Sequence, residues 1–439
     1  MRFLGVTETC DLGALYLRLL DEGHEVRIAI SYEQAHGTMA GMVSRLDDWR
    51  DGLGWVREAG DDGIILFESV SKGFGRLQDE LRGEGHRVIG GSEYGDRLEN
   101  DRGFAQALLA DLGFPSGHVW TFDRAAAAID HIARRPARYV LKFSGPDFSS
   151  GDNYLGQLAD GADVVALLRQ RTLSTKGASH FILMDFIEGI EIGVGAYFDG
   201  TRFLTPACLD WEHKRFFAGD MGELTGEMGT VATFDGTAPF FERTLRLLEP
   251  HLAGRGHIGY VNLNTIVNEQ GIWPLEFTCR FGYPGFAILD PLQETPWGEL
   301  FAIMLGQRNG SFIARPGFST GVVVTTPPFP YSRKEVDEAV GLPILFREPL
   351  TDEDRRHVHL GEVGIADGQL VTSGLYGWTM VVTGTGATVA ESRHEAYRLL
   401  RNIVVPRGRY RLDIGSRTSS EIGELRRMGL IGPISIPGR

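Results

Sequence analysis

At 439 residues the chain is too long for one ordinary core and long enough for about three domains. Its 42% hydrophobic and 23% charged composition, with 58 glycines, is that of a globular enzyme rich in tight turns. A formal net charge of −14 repels phosphate polymers, which argues against nucleic acid as a partner yet allows a local basic pocket for a nucleotide.

Cys10, Cys208 and Cys279 lie far apart and form no CxxC pair. They argue against a disulfide framework or zinc site and predict a cytoplasmic protein. No apolar run approaches the ~18–20 residues of a membrane span, so no membrane partner is expected.

In chain order, residues 2–6 read as a strand, 11–22 as a helix with Leu12, Leu15 and Leu19 on one side, and 25–30 as a second strand. Strand 63–67, helical 77–81 and strand 87–89 continue the alternation, which predicts an α/β class with a doubly wound parallel sheet. Gly5 and Gly13 do not make a GxGxxG turn, so a dehydrogenase is disfavoured. A helix over 104–112 ends at Gly113 and Pro115 and opens a smaller α+β block with a strand at 139–143 and a Gly/Ser/Asp-rich loop over 144–156. Strands dominate 185–310. A β-rich region with short strands, Gly turns, a Pro cluster at Pro327, Pro328 and Pro330, and one helix over 392–402 follows. The expected division is 1–102, 103–184, 185–314, 315–417 and a 418–439 tail made of a helix and a loose end.

Four segments can carry chemistry. Lys142, in YVLKF, is either a phosphate ligand or an edge-strand lysine that snorkels to water. FILMDFIEGIEIGVGAYF is a strand, a turn and a strand holding Asp185, Glu188 and Glu191. Its backbone could read an adenine edge and a carboxylate could take ribose hydroxyls, or it is a plain hairpin with solvated acids. From Asp210 to Thr230 a Gly-punctuated loop carries Lys214, Arg215, Asp220, Glu223 and Glu227, with Trp211, Phe216 and Phe217 as rings that prefer burial. In the last segment, strands at 260–267 and 273–277 meet at a turn, and Asn264 and Glu276 can project from one face as magnesium ligands. Arg280 can contact a phosphoryl group, or pair with the acid as a structural salt bridge. His357 and His359, two apart, read as ordinary surface residues rather than a metal pair.

Taken in order, these segments resemble the ATP-grasp enzymes, and among them the phosphoribosylamine–glycine ligase family. The family's HKR…GDxGPNTGGMG stands here as His213-Lys214-Arg215…Gly219-Asp220-Met221-Gly222-Glu223-Leu224-Thr225-Gly226-Glu227-Met228-Gly229. Its LEFNCRFGDPE stands as Leu275 to Gly285, and its LVTSGG and YRxDIGxR as Leu370–Gly374 and Tyr410–Arg417. The resemblance implies an ATP-grasp fold and an ATP-dependent carboxylate–amine ligase working through an acyl phosphate. It implies ATP with Mg²⁺ or Mn²⁺, and a small carboxylate and a small amine as partners, in a monomer or homodimer. By the same resemblance Lys142 and Arg102 bind the nucleotide with Asp185, Glu188 and Glu191, and Glu276, Asn264 and Thr278 hold the metal. Lys214 and Arg215 face the reacting carboxylate, Arg280 steadies the transferred phosphoryl group, and the small block with its Gly/Ser loop closes as a lid.

The chain departs from the pattern. GGREHA, associated with the phosphoribosylamine, is replaced by Glu8-Thr9-Cys10-Asp11-Leu12-Gly13, the asparagine of EFN is Thr278, and Glu223 and Glu227 add two acids to the acceptor loop. An acidic acceptor site favours a cationic amine over a phosphorylated sugar. The alternatives are the family's own reaction or an ATP-binding homologue without catalysis.

Overall fold

A computed structural model describes residues 1–143, 153–174 and 181–434, with the side chains of 171–174 left aside. Most of the 144–156 loop expected to close over the site, and the last five residues of the tail, lie outside the described residues.

Five parallel strands form the N-terminal sheet, in the order Ser44–Leu46, Glu25–Ile30, Arg2–Thr7, Gly63–Phe67, Arg87–Ile89. The apolar run GIILF is buried at every position, as a strand covered on both faces requires. The helix after the first strand begins at Gly13 rather than at 11, because Cys10 turns into the left-handed region (φ +68°) and the 8–11 segment is spent on a loop. That loop, with Glu68 at the end of Gly63–Phe67, lies at the carboxyl ends of the strands, where open α/β sheets place their ligands.

A second, antiparallel sheet of eight strands is the core of the molecule. Its order is Gly271–Thr278, Gly259–Asn268, Ile190–Phe198, Cys208–Glu212, Gly229–Thr233, Phe318–Thr325, Trp378–Gly386, Val358–Leu360. Phe318–Thr325 pairs directly with Gly229–Thr233, so the sheet runs without a break from the region before residue 314 into the region after it. Behind the later strands packs the helix Val389–Leu400, opened by a Thr388–Glu391 capping box.

A four-stranded sheet, Val119–Phe122, Phe181–Asp185, Tyr139–Phe143, Tyr154–Leu155, makes the small block with helices Ala125–Arg134 and Ala162–Ser174. The molecule is thus mixed α/β: a parallel N-terminal sheet, an antiparallel core and a small lid-like sheet.

Strands do not dominate 185–310 throughout. Ala238–Arg243 and Trp297–Met304 are helices. The second is buried at seven of its eight positions, so it lacks the polar stripe by which a helix is read from sequence. The stretch from Asp210 to Thr230 is not one loop either. Arg215–Phe217 and Met221–Leu224 form a hairpin whose turn uses positive φ at Gly219 and Asp220. Trp211 and Phe216 are buried, but Phe217 is exposed. His357 and His359 are not surface residues: both bond the hydroxyl of Thr383 (2.9 and 3.1 Å).

Candidate functional site

Alternation along the core strands puts one set of polar side chains on the sheet face toward the N-terminal domain. Glu191 comes from Ile190–Phe198, Asp210 and Glu212 from Cys208–Glu212, Asn262 and Asn264 from Gly259–Asn268, and Glu276 and Thr278 from Gly271–Thr278. Asn264 lies opposite Glu276 and Asn262 opposite Thr278 in the register.

Lys214 sits at the centre of this face. Its ammonium is 3.0 Å from Glu276, 3.2 Å from Glu191 and 3.2 Å from Glu212. Burial alone would lower its pKa, but Glu212, Glu191 and Glu276 outweigh burial and hold it well above the usual lysine value. Lys214 in turn keeps Glu276 below the usual carboxylate range. Asn264 donates to Glu191 at 3.0 Å and to Glu212 at 3.4 Å, and its carbonyl oxygen is buried without a partner among the described residues.

Lys142 stands on the facing strand Tyr139–Phe143. Burial, then the charges of Arg102 and Lys214, push its pKa down, while Glu276 opposes them. Lys214, then Lys142 and Arg102, all bear on Glu276, a gathering of cations that suits a polyanion. Arg102 opens the helix Arg102–Asp111, capped by Asp101, and lies 3.4 Å from the sulfur of Met184.

Below this cluster opens a cavity of roughly 620 Å³ between the core sheet and the N-terminal domain. Lys214, Glu276, Thr278 and Arg280 line it from the core, and Glu8, Asp11, Glu68 and Lys72 from the N-terminal domain. Arg280 does not pair with Glu276. Its Nε bonds Glu99 at 2.9 Å, and Glu99 also accepts from the Cys279 amide at 2.8 Å. Glu68 is buried and accepts from Thr7 (2.6 Å), Tyr16 (2.7 Å) and the backbone N–H of Asp11 (2.8 Å). Burial, then Asp11, raises its pKa to about 8. The Asp11 backbone N–H of this loop is therefore already bound to a carboxyl group of the chain itself.

Other expected residues point elsewhere. The Asp185 carboxylate accepts from both the backbone and the ring of His118 (2.9 and 2.8 Å), and exposed Glu188 lies 3.6 Å from Arg138. Both line a separate hinge-side cavity with Trp273. Arg215 turns away from Lys214 and donates to the Gly222 carbonyl of its own hairpin (2.8 Å). Of the two added acids, Glu227 lines the large cavity, whereas Glu223 is exposed beside Tyr331.

Sequence reading overlooked Asp210, Glu212, Asn262, Glu68 and Glu99. For Glu212 the signal was present, since it lies two residues before Lys214 in a strand pattern. For Glu68 and Glu99 none was, because their partners are far away in the chain. No helix among the described residues is long and apolar enough to cross a membrane, and Cys10, Cys208 and Cys279 are all free and buried.

Comparison with known proteins agrees with this geometry. Residues 100–286 match the model of the phosphoribosylglycinamide synthetase ATP-grasp (A) domain. The phosphoribosylamine–glycine ligase of Brucella melitensis is 30% identical over 353 residues, which cover 78% of this chain and 80% of that protein. That of Neisseria meningitidis serogroup B is 27% identical over 352 residues, covering 78% and 81%. The solved phosphoribosylamine–glycine ligase of Thermotoga maritima has the same fold, with a TM-score of 0.68 at 19% identity over 94% of this chain and all of that one. The chain belongs to the phosphoribosylamine–glycine ligase family and is an ATP-grasp ligase that uses ATP to form a C–N bond.

Proposed function

We propose that the protein activates a small carboxylate as an acyl phosphate and couples it to a cationic amine rather than to a phosphorylated sugar amine. The observation that carries this reading is the polarity of the site. Cations at Lys142, Arg102 and Lys214 adjoin Glu276 at one end, while the chamber beneath is lined by Glu8, which pairs with Lys72, and by Asp11, Glu68, Asp210 and Glu227, whose pKa values burial raises so that an arriving cation can draw their protons off.

Lys142 and Arg102 neutralise the polyphosphate, and Glu191 takes the ribose hydroxyls. Glu276 and Asn264 would hold a divalent cation. The fit rests on hard oxygen donors opposite each other in the register, one of them the unpartnered Asn264 carbonyl, with the Thr278 hydroxyl two residues beyond. Such an ion, when bound, screens the charge on the transferred phosphoryl group. The substrate carboxylate oxygen attacks the terminal phosphorus and ADP leaves. The amine nitrogen then attacks the acyl carbon, loses a proton and expels phosphate. Lys214 neutralises the carboxylate before transfer, and Arg280, fixed by Glu99, faces the oxygens of the group transferred.

The test is ADP release against a panel of carboxylates and amines, with mass spectrometry of the product. Amide formation with a cationic amine supports the reading, and no ADP with any pair overturns it. The second reading is the relatives' named reaction, phosphoribosylamine with glycine, favoured by similarity over 78% of the chain. Rescue of a purine-requiring strain would decide for it.

A further inference from the structure

Resting on the ligase reading above, we infer that Asp210 and Glu227, with Asn262 and Thr230, form a buried subsite for a second ammonium group, so that the acceptor is an aminoalkyl cation of the diamine type. Asp210 lies at the centre of the core sheet and is only 7% exposed. Its Oδ2 accepts from Asn262 at 2.7 Å, while its Oδ1 has no partner among the described residues although the side chain lines the cavity. Gly193, opposite it on the next strand, makes room for the carboxylate itself, since a Cβ there would collide with Oδ1.

Glu227 adds a second acid to the same place. It stands where the family motif TGGMG has a glycine, is 8% exposed, and is held by the hydroxyl of Thr230. Among the described residues neither acid has an ion pair. Lys214, beside them, is committed to Glu191, Glu212 and Glu276. Burial, then Glu212, raises the pKa of Asp210 to about 8 and pushes that of Glu227 well up, so an ammonium seated between them would hold both as carboxylates.

The rest of the chamber decides which cation. Tyr197, Tyr260, Phe281, Tyr283 and Trp378 line it, with Tyr283 stacked on Trp378 at 5.0 Å between ring centroids. Ring faces suit a methylene chain and an ammonium. An ammonium offers three N–H donors, enough for the free Asp210 oxygen and for Glu227 together.

The experiment is calorimetric binding of putrescine and of butylamine, the same chain with one charge fewer, to the full-length protein. Putrescine should bind tighter by roughly tenfold or more, the scale of a charge-assisted hydrogen bond. Asp210→Asn and Glu227→Gln should each bring the ratio close to one while ATP affinity and melting temperature hold. Glu227→Gly, which restores the family residue, guards against a fold effect and should do the same. Equal affinity of the two amines for the wild type, or an unchanged ratio in the variants, overturns the proposal. Because binding is read without turnover, a protein that releases no ADP but still prefers putrescine would sink the ligase reading and leave the subsite standing.

Discussion

The buried guanidinium of Arg411 donates to Asp220 at 3.1 Å across 191 positions of chain. It also donates to the Arg215 carbonyl (2.9 Å) and to Asp413 (2.8 Å), while Asp413 accepts from the Gly219 amide (2.9 Å) and Arg417 pairs with Asp220 (2.8 Å). Two sequence motifs far apart are thus one latch. The YRLDIGSR segment clamps the hairpin that follows Lys214.

Arg411→Ala should therefore cost about 3 kcal/mol of stability, as when one partner of a buried pair is removed, and should lower turnover by displacing Lys214. Leu412→Ala, next door but 69% exposed, should stay within about 0.5 kcal/mol of wild type. Chemical denaturation compares them, and equal stability of the two variants would remove the latch.

Lys142→Ala and Glu276→Ala should each lower ATP turnover at least about a hundredfold, the loss seen when one electrostatic contact to a transition state is deleted. ADP release at the wild-type rate from either variant would refute its assignment.

Removing the ammonium of Lys214 leaves Glu191, Glu212 and Glu276 facing one another without compensation. Lys214→Met should lose turnover, and its melting temperature should rise more on adding Mg²⁺ than that of wild type, because the ion supplies the missing charge. An identical Mg²⁺ response in both proteins counts against the idea.

His213 should make the latch acid-sensitive. Its Nε2 accepts from the Gly415 amide at 3.1 Å, and burial, then Arg411 and Arg417, lower its pKa to about 4 from the ordinary 6.5. Between those values the unfolded chain takes up a proton that the folded chain refuses. This stability is complete above about 6.5 and is lost as pH falls toward 4, by at most about 3 kcal/mol. His213→Gln keeps an acceptor but does not titrate, so its melting temperature should fall less steeply than wild type across that window. Parallel curves would show that His213 contributes nothing.

Glu362 supports the chamber wall. Its buried carboxyl accepts from the amides of Leu375 (2.7 Å), Tyr376 (2.9 Å), Gly377 and Trp378 (3.1 Å). Glu362→Gln turns an N–H₂ toward some of these donors, and should cost about 2 kcal/mol and raise the KM for the amine more than that for ATP. A variant with unchanged amine KM would limit Glu362 to a local packing role.

The parallel N-terminal sheet, the strand carrying Lys142 and the paired strands carrying Asn264 and Glu276 were legible because apolar runs and turn residues are local signals. The buried helix Trp297–Met304 was not, since a helix apolar on all sides has no periodic contrast. The side-chain partners of Asp185 and Glu188, His118 and Arg138, lie tens of residues away and leave no mark in the motif. Arg215 is adjacent to Lys214 in sequence but points to its own hairpin, because the hairpin strand Arg215–Phe217 begins at Arg215 while Lys214 lies in the break after Cys208–Glu212.

By itself the sequence determined the family and the ATP-grasp class of chemistry, because the residues that mark them lie in motifs close in the chain. Only the tertiary structure decided which acids share a space. Glu68, Glu99, Asp210 and Glu227 come together through strand register and domain packing, where partners lie tens to hundreds of residues apart. Charge balance in a cavity is a property of that assembly, and no local pattern records it.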